Sequence, residues 1–223
     1  MQHRDTKQTG GFFMLYGLAR IVFYLYYKLY HRIEIYGVDT LPSKRPLILA
    51  ANHASYLDPP AIGMAFPDKL RFIAWEGLFS NFFMRVFITA MGAVPVSQEN
   101  KGSAASLLRQ VLGFLEEGFN VLIFPEGKRS EDGKLMPLEG GVALLSVRTM
   151  TPVIPVWIEG SHKAMSPSMS FPRPYKLKIF FGEAIDPSLF PEELTEKERR
   201  SLLLEKLNDA LSEMQEKQNK LTF

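Results

Sequence analysis

Three short, unbroken apolar runs constrain this chain more than any other feature. Residues 46–51 (PLILAA), 121–124 (VLIF) and 153–158 (VIPVWI) are each one strand long and carry no charge. Such runs suit strands covered on both faces, as in a buried parallel sheet. Helix-like segments lie between them. Residues 103–117 put Leu107, Leu108, Val111, Leu112 and Leu115 on one face, and Gly118 is a natural stop. Residues 59–66, 78–91, 141–148 and 192–217 also read as helices. In the second, Phe79, Phe82, Phe83 and Phe87 fall near one side; the last buries Leu203, Leu204, Leu207, Leu211 and Met214. Residues 32–36 (ended by Gly37), 70–74, 93–96 and 176–181 read as further strands. Strands alternating with helices predict an α/β fold with a mixed or mostly parallel sheet flanked by helices. Residues 161–174 read as a loop, and 215–223 as a tail that frays.

Composition narrows the function. With 46% apolar and 22% charged residues among 223, the chain is globular and can bury a real core. It has no cysteine, so thiol nucleophiles and Cys-based zinc sites are excluded. The four His, at 3, 31, 53 and 162, are too scattered for a metal site, and no metal or bound cofactor is expected. A net charge of +2 gives no support for a nucleic-acid partner.

Residues 1–31 form a separate prediction, with the main domain taken as 32–223. At 100° per residue, Tyr16, Arg20, Tyr24, Tyr27, Lys28 and His31 share one face; Leu15, Leu18, Val22, Leu25 and Leu29 share the opposite one. An apolar stripe backed by basic and aromatic residues suits a helix lying on a bilayer surface. Arg20 disfavours a spanning helix, and no small-residue cleavage site marks a signal peptide.

The stretch Asn52-His53-Ala54-Ser55-Tyr56-Leu57-Asp58 directly follows the first buried run. His53 and Asp58 would point about 140° apart on one helix. Pro59 and Pro60 fit a helix's first turn, which makes Asp58 its natural N-cap and leaves His53 in the loop before it. The imidazole can then fold back onto the carboxylate and serve as a general base near neutral pH. The spacing alone is weak evidence: four His and seven Asp in 223 residues produce it by chance in about one such chain in eight. A second stretch follows the run 121–124. Phe124-Pro125-Glu126-Gly127-Lys128-Arg129-Ser130 sets a carboxylate, a glycine and two cations at another strand end.

Together, Asn52-His53-x-Ser55-x-x-Asp58, Phe124-Pro125-Glu126-Gly127-x-Arg129-Ser130 and Val153-Ile154-Pro155-Val156 resemble three ordered motifs of the glycerophospholipid acyltransferases, closest in type to the bacterial 1-acyl-glycerol-3-phosphate acyltransferases. The resemblance spans residues ~35–185. It implies the αβ acyltransferase sandwich with an apolar tunnel for the acyl chain. His53 would be the base and Asp58 its orienting partner. Asn52, Ser55, Glu126, Gly127, Lys128 and Arg129 would bind substrate, with Arg129 near the acceptor phosphate, and Pro155 would sit at a strand end and shape the site. The implied partners are a lipid bilayer, a lysophospholipid, and an acyl thioester of coenzyme A or acyl carrier protein, met on the cytoplasmic face of a membrane.

The chain departs from the family where Trp75 and Glu76 stand near a usual Lys, Gln98 replaces an Arg, Lys128 replaces a Thr, and Glu139 replaces a Lys. Fewer cations weaken the grip on a phosphomonoester, so another lysolipid or lipid alcohol is the alternative acceptor. A Ser hydrolase lacks its Gly-x-Ser-x-Gly elbow here. A catalytically silent lipid-binding protein is the alternative from another class.

Overall fold

The computed structural model describes residues 21–43, 46–80, 85, 88–89, 92–96 and 104–221. Residues 21–30 form helix α1. There follow β1 (Glu34–Tyr36), β2 (Ile48–Ala51), α2 (Asp58–Ala65), β3 (Leu70–Trp75), β4 (Ala93–Val96), α3 (Ala104–Glu116), β5 (Asn120–Ile123), α4 (Gly141–Thr149), β6 (Val153–Glu159), the short α5 (Ser161–Ala164), β7 (Lys178–Phe181) and α6 (Glu196–Leu221). All seven expected strands are present among the described residues.

They form one sheet in the order β1-β7-β6-β2-β5-β3-β4. The strands β6, β2, β5, β3 and β4 run parallel, while β7 is antiparallel to β6 and β1 parallel to β7. The sheet is therefore mixed, with its two reversed strands at one edge.

Side chains alternate between the faces, as the period of two requires. Leu47, Leu49 and Ala51 join one apolar cluster with Ile154, Val156, Ile158, the inner face of α2 and Tyr27 of α1. Ile48 and Ala50 join the other, with Val153, Trp157 and residues of α3, α4 and α6. Each fully covered Leu or Ile contributes about 1.5–3 kcal/mol, so a one-residue slip of β2 would forfeit the pattern on both faces.

The helix that follows β2 covers the first face, and the helix that follows β5 covers the second. These strands are neighbours. Adjacent parallel strands whose chains leave toward opposite faces open a crevice beyond their carboxyl ends. Both motif loops begin there.

Other expectations need adjustment. The stop after α3 is as expected: Gly118 has φ +82, open to glycine at little cost, and Phe119 N–H donates to Phe114 O at 2.9 Å. The last helix starts at Glu196 rather than 192 and continues to Leu221 rather than fraying from 215. Its start is set by a reciprocal cap, in which Glu198 N–H donates to Thr195 Oγ1 at 3.3 Å and Thr195 N–H to Glu198 Oε2 at 2.8 Å. The helix expected over 78–91 begins as a 3-10 turn, Glu76–Phe79; residues 85, 88 and 89 are helical, while Phe82, Phe83 and Phe87 lie outside the described residues.

Helix α1 turns Tyr27 of its aromatic stripe inward, while Tyr24 and Lys28 stay exposed. Tyr27 is fully buried, its hydroxyl donating to Leu57 O at 2.8 Å, and His31 just beyond α1 is buried as well. Ile21, Val22, Leu25 and Leu29 face outward, Leu29 with 77% of its surface exposed. Leu15, Tyr16, Leu18 and Arg20 lie outside the described residues. No helix among the described residues is long and apolar enough to cross a membrane.

Candidate active site

Beyond Ala51 the backbone leaves the sheet, but Asn52 prolongs the pairing with its side chain. Its Nδ2 donates to Ile158 O at 3.1 Å and its Oδ1 accepts from Ile158 N–H at 2.7 Å. The amide imitates a peptide unit and anchors the loop to β6. Ser55 is buried too: its hydroxyl donates to Met165 O at 2.7 Å and accepts from Leu57 N–H at 3.1 Å. Both residues were expected to bind substrate. Both instead spend their polar groups on the loop's shape.

Asp58 is not the N-cap. Leu57 holds that position and Asp58 is the first helical residue. The carboxylate is thereby freed from capping α2 and folds back over the preceding loop. Its Oδ2 accepts from Ala54 N–H at 2.8 Å, from Ser55 N–H at 2.7 Å and from the His53 ring at 2.9 Å. An ionised carboxylate only accepts, so Nδ1 carries the imidazole proton and Nε2 keeps its lone pair.

The second motif grips the first from across the crevice. The His53 ring stacks on Phe124 with centroids 4.0 Å apart. His53 N–H donates to Glu126 Oε1 at 2.6 Å, Met136 N–H donates to Glu126 Oε2 at 2.8 Å, and Ser130 N–H donates to His53 O at 2.7 Å. Glu126 was expected to contact substrate. It is buried, and both its oxygens are committed to backbone, so it acts as a brace under His53. Burial raises its pKa above the usual 4.5, opposed by the hydrogen bonds from Met136 and His53.

Gly127, with φ +69, turns the chain beside Glu139; a Cβ there would stand 2.6 Å from Glu139 Oε1. Lys128 is exposed. Arg129 sets its guanidinium carbon over the Tyr56 ring, 3.6 Å from its centroid, and its Nη1 is buried with no hydrogen-bond partner among the described residues. Such a stack holds a guanidinium in place with about 0.5–2 kcal/mol. Pro155, expected at a strand end, is buried inside β6 opposite Ala50. It shapes the sheet and does not line the site, because β6 runs four residues further.

A groove of about 450 Å³ leads from His53 between α3, β5 and α4. Leu108, Val111, Ile123 and Leu145 make its walls apolar, and His53 and Glu139 are among its polar members. The sequence reading assigned no role to Tyr56 or to Phe124's ring. Both stand inside the motifs, but their stacking partners come from the other motif, so neither contact has a sequence signal of its own.

A sequence model of the Acyltransferase family matches residues 32–159. The 1-acyl-sn-glycerol-3-phosphate acyltransferase of Bacillus subtilis is 26% identical over 190 residues, covering 85% of this chain and 91% of that protein. A chloroplastic protein of Brassica napus with the same activity in its name is 31% identical over 148 residues, or 66% of this chain. This chain spans only about two fifths of the length of that protein, 42%. The crystal structure of the 1-acyl-sn-glycerophosphate acyltransferase PlsC from Thermotoga maritima superimposes with a TM-score of 0.72 at 26% identity, covering 95% of this chain and 83% of that one.

Proposed function

The chain belongs to the acyltransferase family, and on that premise we propose that it moves a fatty acyl group from a thioester of coenzyme A or acyl carrier protein to the free hydroxyl of a lysophospholipid. The favoured acceptor is 1-acyl-sn-glycerol-3-phosphate, which would give phosphatidate. The single observation that carries the reading is the His53–Asp58 pair, 2.9 Å apart at the mouth of an apolar groove.

The chemistry follows from these atoms. Asp58 holds the Nδ1 proton, so Nε2 accepts the proton of the acceptor hydroxyl as its oxygen attacks the thioester carbonyl. The buried carboxylate stabilises the imidazolium as it forms. The tetrahedral intermediate expels the thiolate, a good leaving group because its thiol pKa is about 8.5. The proton on His53 then returns to the thiolate or to solvent, and the base is regenerated. The acyl chain lies along Leu108, Val111 and Leu145, where each buried methylene adds about 0.8 kcal/mol. Arg129, stacked on Tyr56, faces the acceptor's phosphate with Lys128 beside it. Ser55 is no rival nucleophile, because its hydroxyl is held by Met165 O.

One observation favours a second acceptor class. Glu139 lines the groove beside His53 and Gly127, and a carboxylate there opposes a phosphomonoester. A zwitterionic lysolipid would meet less repulsion. The protein works at a bilayer surface on the cytoplasmic face, with the outward apolar side of α1 in the lipid interface.

Purified protein given an acyl thioester and a panel of lysolipids should release thiol only when an acceptor is present. His53→Ala should abolish release with little loss of stability. Silence with every acceptor would point to a non-catalytic lipid binder. Release without acceptor would point to a hydrolase.

A further inference from the structure

Resting on the placement at a bilayer, we infer that the loop of residues 166–174 is a second lipid contact, which inserts Phe171 into an anionic membrane surface beside the active site. Phe171 is 81% exposed, the most open aromatic ring among the described exposed hydrophobics. A side chain of this size usually finds cover in a soluble protein. The ring sits in a held loop. Arg173 N–H donates to Ala164 O at 2.8 Å, Met169 N–H to Ser166 O at 3.0 Å, and the Ser166 and Ser168 hydroxyls bond at 2.9 Å. Pro172 and Pro174 restrict the backbone on its far side.

The loop is tied to the C-terminal end of α1. Tyr30 Oη donates to Pro172 O at 3.1 Å, and the His31 ring bonds Tyr175 O at 3.0 Å. Leu177 N–H donates to His31 O at 3.1 Å. At its other end the loop holds the catalytic segment, through Ser55 Oγ on Met165 O at 2.7 Å. These bonds tie the loop to the end of α1 on one side and to the loop that carries His53 on the other.

Charge selects the occupant. Residues 21–33 and 160–182 contain no Asp or Glu, yet carry Lys28, Arg32, Lys163, Arg173, Lys176 and Lys178. Lys176 is paired with Glu34 of β1 at 2.6 Å, and Lys163 lies over the Tyr175 ring. Apolar side chains ringed by an excess of cations, with Glu34 already paired to Lys176, match a bilayer bearing negative headgroups. A docked loop would lower the site onto the surface that holds an amphipathic acceptor.

The test is sedimentation of the full chain with vesicles of phosphatidylcholine, alone and mixed with phosphatidylglycerol. Phe171→Ser should lower the partition coefficient about tenfold on mixed vesicles. Arg173→Glu should flatten the dependence on phosphatidylglycerol. Leu189→Ser is the control: Leu189 is 83% exposed but adjoins Phe190 of the second apolar cluster, and its loss should change nothing. Wild type that stays in the supernatant with every vesicle overturns the membrane placement itself. Wild type that sediments alongside an equally sedimenting Phe171→Ser variant overturns the loop alone. Partition is read without turnover, so a failure of the acyl-transfer reading shows separately, in thiol release from detergent-solubilised protein.

Discussion

Replacing Asp58 by Asn separates chemistry from folding at a single atom. Oδ2 serves three donors, Ala54 N–H, Ser55 N–H and the His53 ring, while Oδ1 is buried with no hydrogen-bond partner among the described residues. An Asn can place its carbonyl oxygen at Oδ2 and its amino group at Oδ1, where that buried donor has no acceptor among the described residues and costs about 1–3 kcal/mol. Three hydrogen bonds to a charged group become neutral ones, each weaker by about 1 kcal/mol. Against this, the protein no longer buries an ion, which costs several kcal/mol. The two changes oppose each other, and the melting temperature should move by only a few degrees. Transfer responds differently. The imidazolium formed at His53 loses its adjacent anion, and turnover should fall about a hundredfold to ten-thousandfold. Asp58→Ala is the contrasting variant. It leaves two buried N–H groups without an acceptor at about 1–3 kcal/mol each. A combined loss of about 4 kcal/mol lowers the melting temperature by about 8–16 °C in a chain of this size. Thiol release with one lysolipid and a thermal melt read both quantities on each variant. Asp58→Asn with turnover within about threefold of wild type would refute the assignment of the carboxylate to catalysis.

Arg129→Lys keeps the charge but loses the guanidinium held over Tyr56, so KM for a phosphate-bearing acceptor should rise about tenfold while kcat changes little; equal KM values would remove Arg129 from acceptor binding. Leu108→Phe fills part of the groove, and kcat/KM should fall for long acyl thioesters relative to short ones, by roughly fourfold per methylene excluded. An unchanged chain-length profile would place the acyl chain elsewhere. Glu126→Gln turns an amide NH2 toward one of two backbone N–H donors, which should cost about 1–3 kcal/mol and reduce turnover by loosening His53. The pH dependence has a definite sign. Burial raises the pKa of Glu126 in the folded state, so proton binding adds stability that is complete below the usual 4.5 and lost as pH rises through the raised value. Urea unfolding should therefore show wild type's advantage over Glu126→Gln shrinking as pH rises from below 4.5, and a widening gap would contradict the assignment.

Much of the molecule was legible because local patterns carried it. Each unbroken apolar run became a strand, and the amphipathic face of residues 103–117 became the inner face of α3. The turn that brings His53 to Asp58 could be argued from Pro59 and Pro60, although the cap fell one residue earlier, at Leu57. Roles within the motifs were harder to read. Asn52, Ser55 and Glu126 carry polar groups suited to a ligand, and all three are spent on backbone instead. Their partners are Ile158, Met165 and His53, separated from them by 106, 110 and 73 positions. No periodicity links residues so far apart.

The amino-acid sequence alone determined the alternation of strands and helices, the placement of two polar loops at strand ends, and the meeting of His53 with Asp58. These depend on side-chain period and turn chemistry, which act over a few residues. Tertiary structure decided the rest: that the helices following β2 and β5 part toward opposite faces and open a crevice, that Glu126 reaches under His53, that Arg129 lies on Tyr56, and that α1 turns Tyr27 inward and Leu29 outward. Each is a contact across dozens of residues. Which partner a side chain finds at that range is set by the packing of the whole sheet and its two covering layers, and no single segment contains that information.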